Sequence, residues 1–320
     1  MLPPAAWAVL VPAVLLAACA APPSQPHEGH RVLLHGNGKL AIVEPDGSIS
    51  LERPWGGIHD LHLSAEGQVF VQRGWGEVVE LDLASGEVLW SYASGTSHGN
   101  AGVPVEVHAF QPLARGRMMI AESGPARILE VERDGSVISE TPLTVDHPHP
   151  HMDTRLVRKI AADRYLVCHE GDGVVREIEQ GSGRVVWEYD VPLFGRERRG
   201  GHGPDSFGDK VFGTLRLKNG NTLIATGNGH SVLEVTPAKE IVWQLSQDEL
   251  DGIRLAWVTT LEVLPNGHYV IGNCHAGPGQ PLLIEIEPKS KRVVWTLDRY
   301  EDFGNSVSNS LLLDVPGALR

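Results

Sequence analysis

Positive charge is in short supply in this chain. Lys and Arg number 27 against 40 Asp and Glu, giving a net charge of −13. So acidic a protein repels a phosphate backbone instead of gaining from counterion release, which argues against nucleic acid as a partner. Cysteine is also scarce, with three in 320 residues, too few for a disulfide framework. No apolar run reaches the roughly 20 residues of a membrane-spanning helix. Aromatics make up only 6%, yet 8 of them are Trp, and they stand among 36 Gly and 22 Pro. That balance favours many turns over long helices. With 42% hydrophobic and 21% charged residues, disorder and collagen are excluded and an all-β globular protein is expected.

The first charged side chain is Glu28, and the longest apolar run is Ala5 to Ala18, the length of a signal-peptide core. It ends in Leu16-Ala17-Ala18-Cys19, which resembles the lipobox of bacterial lipoproteins, where the Cys is acylated and becomes the new N-terminus. The segment departs from that pattern in having no Lys or Arg and in the interruptions at Pro3, Pro4 and Pro12. The resemblance implies a signal peptide at 1–18, lipidation at Cys19, a tether over 19–30 and one domain over 31–320. The alternatives are another cleaved signal or an uncleaved anchor. The expected location is the periplasm or cell envelope, with the membrane reached through the lipid anchor only.

A repeat runs through the rest. Gly67-Gln68-Val69-Phe70-Val71 leads to Val78-Val79-Glu80-Leu81-Asp82 and then to Gly86-Glu87-Val88-Leu89-Trp90. The same three beats return around Met118, Ile128 and Val137, around Leu166, Val175 and Trp187, and twice more, ending at Trp243 and Trp295. Each copy is preceded by one further short apolar segment, so a unit is four strands joined by Gly and Asn turns. Four strands per unit of about 50 residues mark the blades of a β-propeller. Five complete blades begin near His59, His108, Arg155, Phe212 and Thr259. A sixth joins a strand near Asn309 to three N-terminal strands at Arg31-Val32-Leu33-Leu34, Leu40-Ala41-Ile42-Val43 and Ser48-Ile49-Ser50-Leu51, closing the ring without free edges. The predicted fold is therefore a six-bladed, four-stranded propeller.

The segment Leu81-Asp82-Leu83-Ala84-Ser85-Gly86-Glu87-Val88-Leu89-Trp90 resembles the tryptophan-docking repeats of the pyrroloquinoline-quinone-like propeller superfamily. The runs His108-Ala109-Phe110-Gln111 and Leu264-Pro265-Asn266-Gly267 are similar to repeats of arylsulfotransferase-like six-bladed propellers. These resemblances imply blade construction more than activity. The quinone enzymes of the superfamily usually have eight blades, a vicinal Cys pair and calcium-binding acids; this chain has no adjacent cysteines and two blades fewer, so a quinone cofactor is not expected.

In a propeller the innermost strands line the axis, and the loops from second to third strand and from outermost strand to the next blade share one face. His35, His169, His230 and His275 fall in the first kind of loop, and His59, His98, His108, His147, His149, His151 and His202 at the second. Eleven of the 15 histidines are thus expected on one face. The candidate ligand-binding or catalytic residues are His59, His108, Arg155, Glu170, His202, His230 and His275. His59, His108 and Arg155 occupy equivalent positions on innermost strands. His169-Glu170-Gly171-Asp172-Gly173 offers an imidazole and two carboxylates, the ingredients of a general base or metal site. Gly227-Asn228-Gly229-His230-Ser231 and Asn273-Cys274-His275-Ala276-Gly277 are framed as anion-binding nests. The stretch from Val191 to Phe212, with Arg196, Arg198 and Arg199, is long enough to act as a lid. His147-Pro148-His149-Pro150-His151 is expected to be extended.

Three functions follow as expectations. One is a tethered propeller binding a small molecule, glycan or protein on the His-rich face. Another is an arylsulfotransferase-like transfer, with His59 or His108 as nucleophile, Arg155 on the sulfuryl oxygens and His230 or His275 shuttling a proton. The third is a metal-dependent hydrolase or lactonase using Glu170, Asp153 and the histidines, for which a divalent metal is the cofactor to consider. Cys168 and Cys274 lie two blades apart and are expected to be free thiols.

Overall fold

A computed structural model describes residues 29–64 and 66–320; the predicted signal segment and Cys19 lie outside the described residues. Six four-stranded antiparallel sheets form a ring, and the remaining helical structure is one short helix at Tyr300–Phe303 and a single turn at Ala114–Gly116. Among the described residues no helix is long and apolar enough to cross a membrane.

Burial explains the composition of the strands. Each inner strand is covered on both faces by neighbouring blades, so Val32–Gly36 and Met118–Ser123 are buried throughout. Outermost strands have one face in solvent, and Ile49–Pro54 and Val137–Pro142 alternate accordingly. The core is therefore a set of wedges between blades: Leu215, Leu223 and Leu245 of the fourth complete blade pack with Val258, Ile271 and Ile284 of the fifth. Tryptophans seal these wedges. The indole N–H groups of Trp90, Trp187 and Trp243 donate across to the Arg133, Pro237 and Pro288 carbonyls of the next blade at 2.8, 3.0 and 2.8 Å. Hairpin tips repeat one device, in which Asp46 or Asp134 accepts the amide of Ser48 or Ser136 at 2.9 Å around a Gly with positive φ.

The composite blade pairs Ser310–Leu312 with Val32–Gly36, in the register Val32↔Leu312 to Leu34↔Ser310. His30, predicted to belong to the tether, is instead only 4% exposed and bridges Glu285 at 2.9 Å and Asp314 at 3.0 Å. The ordered domain thus takes in this residue, which the sequence could not assign because its partners are more than 250 residues away.

The axis is plugged. Arg158 grips Asp60 with two parallel hydrogen bonds of 2.8 and 3.0 Å, and Asn309 reaches the same carboxylate. These three residues come from three blades, so the His-rich face ends in a cup above the plug. Cys168 and Cys274 are both buried free thiols, and burial pushes each pKa up, that of Cys274 to about 12.

Candidate functional site

The cup is a cavity of about 350 Å³ at the His-rich mouth of the axis, within the range of small-molecule sites. Trp75 and His59 build one wall, with ring centres 5.1 Å apart. Trp257 stands on the other, 4.8 Å from His202, with His275 a further 5.0 Å from His202. Phe212, Arg155, Glu170, Lys210 and His151 complete the part of the lining that carries chemistry.

Local backbone irregularities aim these side chains. His108 is the extra residue of a bulge in Glu106–Pro112: Val107 pairs with Glu122 and Ala109 with Ala121. Beside it, Glu106 Oε2 lies 2.9 Å from His108 Nε2 and 2.7 Å from Nδ1 of His151. His275 and His230 both hold positive φ, 62° and 55°, in the loops that follow their strands.

Of the predicted residues, His59, Arg155, Glu170, His202 and His275 line the cup. His108 stands directly behind His59, fully buried, with the ring centres 4.6 Å apart. His230 does not join them: it is buried, with Nε2 bonded to the Ser206 carbonyl at 2.6 Å, and it fixes the long loop instead. His169 likewise donates from Nδ1 to the Asp153 carbonyl at 2.8 Å. Neither the His169–Asp172 cluster nor the predicted Glu170 and Asp153 metal set assembles. Asp172 turns away to Arg176 and the amides of Asp146 and His147, and Asp153 caps the amides of Gly124 and His149.

The other expected features are spent internally. The Gly229, His230, His275 and Gly277 amides, on which the predicted anion nests relied, donate within their own loops or to Asn305. In the predicted lid, Arg198 pairs with Asp209 and Arg196 covers the Phe207 ring, and the stretch contributes His202, Lys210 and Phe212 to the cup in place of its arginines. The His147 to His151 stretch is not extended to its end; it closes in a turn on the His149 carbonyl, which delivers His151 alone to the cup. Sequence reading missed Glu106, Trp75, Trp257 and Lys210. In a regular strand residues 106 and 108 share a side, but nothing in the sequence marks that side as the axis.

Electrostatically the cup is balanced. Arg155 is ion-paired with Glu170, and its NH1 group also faces the His151 carbonyl, so it is not free to hold a ligand anion. Lys210 lies 3.6 Å from Glu170 and 5.9 Å from the Trp257 ring centre. Burial first, and then the neighbouring positive groups, hold His59 and His108 well below the usual imidazole range; burial, with His202 beside it, brings His275 to about 4. Repulsion between neighbouring imidazoles contributes, but desolvation is the larger cause. These rings present neutral nitrogens at pH 7.

Glu106, His108 and His151 lie close enough to share a metal ion, but the tautomer of His108 opposes it. Arg155 NH1 lies 3.2 Å from His108 Nδ1. A guanidinium can only donate, so Nδ1 holds the lone pair and Nε2 carries the proton given to Glu106. A pyrroloquinoline quinone fits no better: its carboxylates would meet Glu170 in the lining, and the two cup cations, Arg155 and Lys210, are both already beside that carboxylate.

His169 yields a prediction on stability. Burial lowers its pKa to about 4 from the ordinary 6.5. Below 6.5 the unfolded chain takes up a proton that the folded one refuses, so stability is expected to fall as the pH drops from 6.5 toward 4. Urea midpoints at pH 7, 5.5 and 4.5 check this, and His169→Gln should flatten the profile.

A family profile described as outer membrane protein assembly factor BamB, of the PQQ-like repeat class, matches residues 36–297. No curated protein sequence matches the chain. A crystal structure of a protein of unknown function from Bacteroides caccae is similar at TM-score 0.71 and 24% identity, covering 88% of this chain and 98% of that one. A streptogramin B lyase follows at TM-score 0.53 and 13% identity, covering 86% and 85%. Virginiamycin B lyase from Staphylococcus aureus gives 0.52 and 13%, covering 84% of each chain. At these identities the likeness is one of fold.

Proposed function

The chain belongs to the PQQ-like repeat family described as outer membrane protein assembly factor BamB, and from that premise we propose that it is an exported propeller that binds a neutral, hydroxyl-bearing ring compound, a glycan or glycoside, in its axial cup. One observation carries this reading: two indoles, Trp75 and Trp257, stand over a cavity in which burial holds the His59 and His275 imidazoles below their ordinary range and the buried Arg155 is paired with Glu170. Indole faces suit the apolar face of a sugar or aryl ring. Neutral imidazole nitrogens, with Thr259 and Ser306 beside them, accept and donate to hydroxyls without demanding a counter-charge. Export, with Cys19 lipidated, is supported by the 5–18 apolar run and the Leu16 to Cys19 sequence.

A second reading, a protein partner seated on the same face, takes its support from the family description and from exposed Val103 and Phe194 on the surrounding loops. Titrating a panel of neutral saccharides and phenyl glycosides against tryptophan fluorescence separates the two. The cup reading expects saturable quenching, weakened at least tenfold by Trp257→Ala. Absence of quenching across the panel, with the protein folded, would leave the rim reading in its place.

A further inference from the structure

The chemistry behind His59 goes further than binding requires. His59 and His108 meet Nδ1 to Nδ1 at 2.5 Å, while their ring centres are 4.6 Å apart and their planes differ by 25°. With the nitrogens so much closer than the centres, they point at one another nearly in line, the arrangement of one proton shared between two imidazoles and not of two stacked faces. Only one of the two nitrogens can carry that proton. Arg155 NH1 already donates toward His108 Nδ1 at 3.2 Å, so the proton sits on His59 Nδ1. The lone pair of His59 is then on Nε2, which no protein group engages among the described residues and which belongs to a ring lining the cup. At the far end of the chain, His108 Nε2 donates to Glu106 Oε2 at 2.9 Å, and His151 supports the same oxygen at 2.7 Å. The Glu106 side chain is 23% exposed and can exchange with water.

We propose that His59 is a proton acceptor facing the cup, coupled through His108 to Glu106, and that it removes a hydroxyl proton from the bound ligand. This rests on the ligand-binding reading above. In the step, the ligand O–H bond breaks and its electron pair stays on oxygen, while the proton goes to His59 Nε2. The Nδ1 proton of His59 passes to His108 Nδ1, and the Nε2 proton of His108 passes to Glu106, which returns it to solvent. Atoms and charge balance, and the net change is an alkoxide or phenoxide in the cup. The charged and titratable groups facing His59 are His108, His151, Arg155 and Glu106, with Glu170 and Lys210 across the cavity. Trp75 and Phe212 supply the uncharged remainder of its shell. Arg155 acts here as a positioning residue, because it fixes which nitrogen of His108 is bare.

The test uses ligand-free protein. In ¹⁵N-histidine NMR of the wild type, His108 should show the Nε2–H tautomer and His59 the Nδ1–H tautomer. Diethyl pyrocarbonate reads the same lone pair: attack by Nε2 forms N-carbethoxyhistidine, releases ethanol and carbon dioxide, and sheds the Nδ1 proton into the relay. Between pH 7 and 5 an ordinary histidine loses about 25-fold in rate as it protonates. His59 should lose less than about threefold by peptide mass spectrometry, and in Arg155→Met its rate at pH 5 should fall about tenfold from wild type. The reverse tautomers in the wild type, or an ordinary 25-fold loss at His59, would overturn the relay whether or not the variant folds. Failure of saccharide quenching with this pattern intact overturns the ligand class alone, and loss of the pattern with quenching intact overturns the relay alone.

Discussion

Removing residues 310–320 is expected to abolish cooperative folding of the whole ring. The deleted segment contributes the innermost strand of the composite blade and three pairings to Val32–Gly36. Leu311 and Leu312 are buried at 0 and 1% exposure, and losing each forfeits about 1.5–3 kcal/mol of apolar burial. The Leu319 pairing with Val263 and the 2.8 Å contact from Arg320 to Glu262 go too. Glu262 is 1% exposed, and burial already raises its pKa. Stripped of Arg320 it becomes an unpaired buried charge, a change that costs about 3–5 kcal/mol. Together these reach the order of a whole domain's stability, about 5–15 kcal/mol. Calorimetry or circular dichroism of the truncated protein should show no cooperative melt. A transition within a few degrees of the full chain would contradict closure as the source of stability. Adding Glu262→Gln to the truncation should recover part of the loss.

Breaking the axial plug is the other large effect. Arg158→Ala leaves the Asp60 carboxylate at 0% exposure with the Phe110 amide, Asn309 and His62 around it and no close guanidinium, and should destabilise by about 3–5 kcal/mol. Asp60→Ala should cost a comparable amount through the stranded Arg158, and the double variant should lose less than the sum, since the two share one interaction. The acid response gives an independent readout. Burial works to raise the Asp60 pKa, but Arg158 and then His62 outweigh it and hold the group below its ordinary 3.8. The stabilisation is therefore fully present above that value and is lost as the pH falls through the lower folded one. In Arg158→Ala burial acts unopposed by the guanidinium and the folded value moves up; once it lies above 3.8 the folded chain takes up the proton before the unfolded one, so the acid-side loss from this group should disappear and the variant should recover stability as the pH falls. Urea midpoints from pH 7 to 3 in wild type and variant would reveal the shift; coincident profiles would remove the plug's role.

The fold was written in the amino-acid sequence because its cause is local and repeated. Strand alternation, Gly-bearing turns and a Trp in the last strand of four of the six units are short-range signals, and six copies average out any single misreading. The rule that two classes of loop share one face then placed His59, His202, His275, Arg155 and Glu170 around the axis before any distance was known. It did so because blade geometry is periodic, so a sequence position maps onto a face. What the repeat could not carry is what differs from blade to blade. His169 and His230 occupy the same kind of loop as His275, yet they turn to the backbone carbonyls of Asp153 and Ser206, because the loops packed over them offer acceptors there. The bulge at His108 follows from pairing with Met118–Ser123 and has no mark in residues 106–109 themselves. Asp60 and Arg158 lie 98 positions apart and meet only because the ring closes. The sequence by itself determined the ring and the face, through periods that any blade repeats. The cup's tautomers, its paired charges and its plug were decided by contacts between different blades, which exist only once the chain has come round on itself.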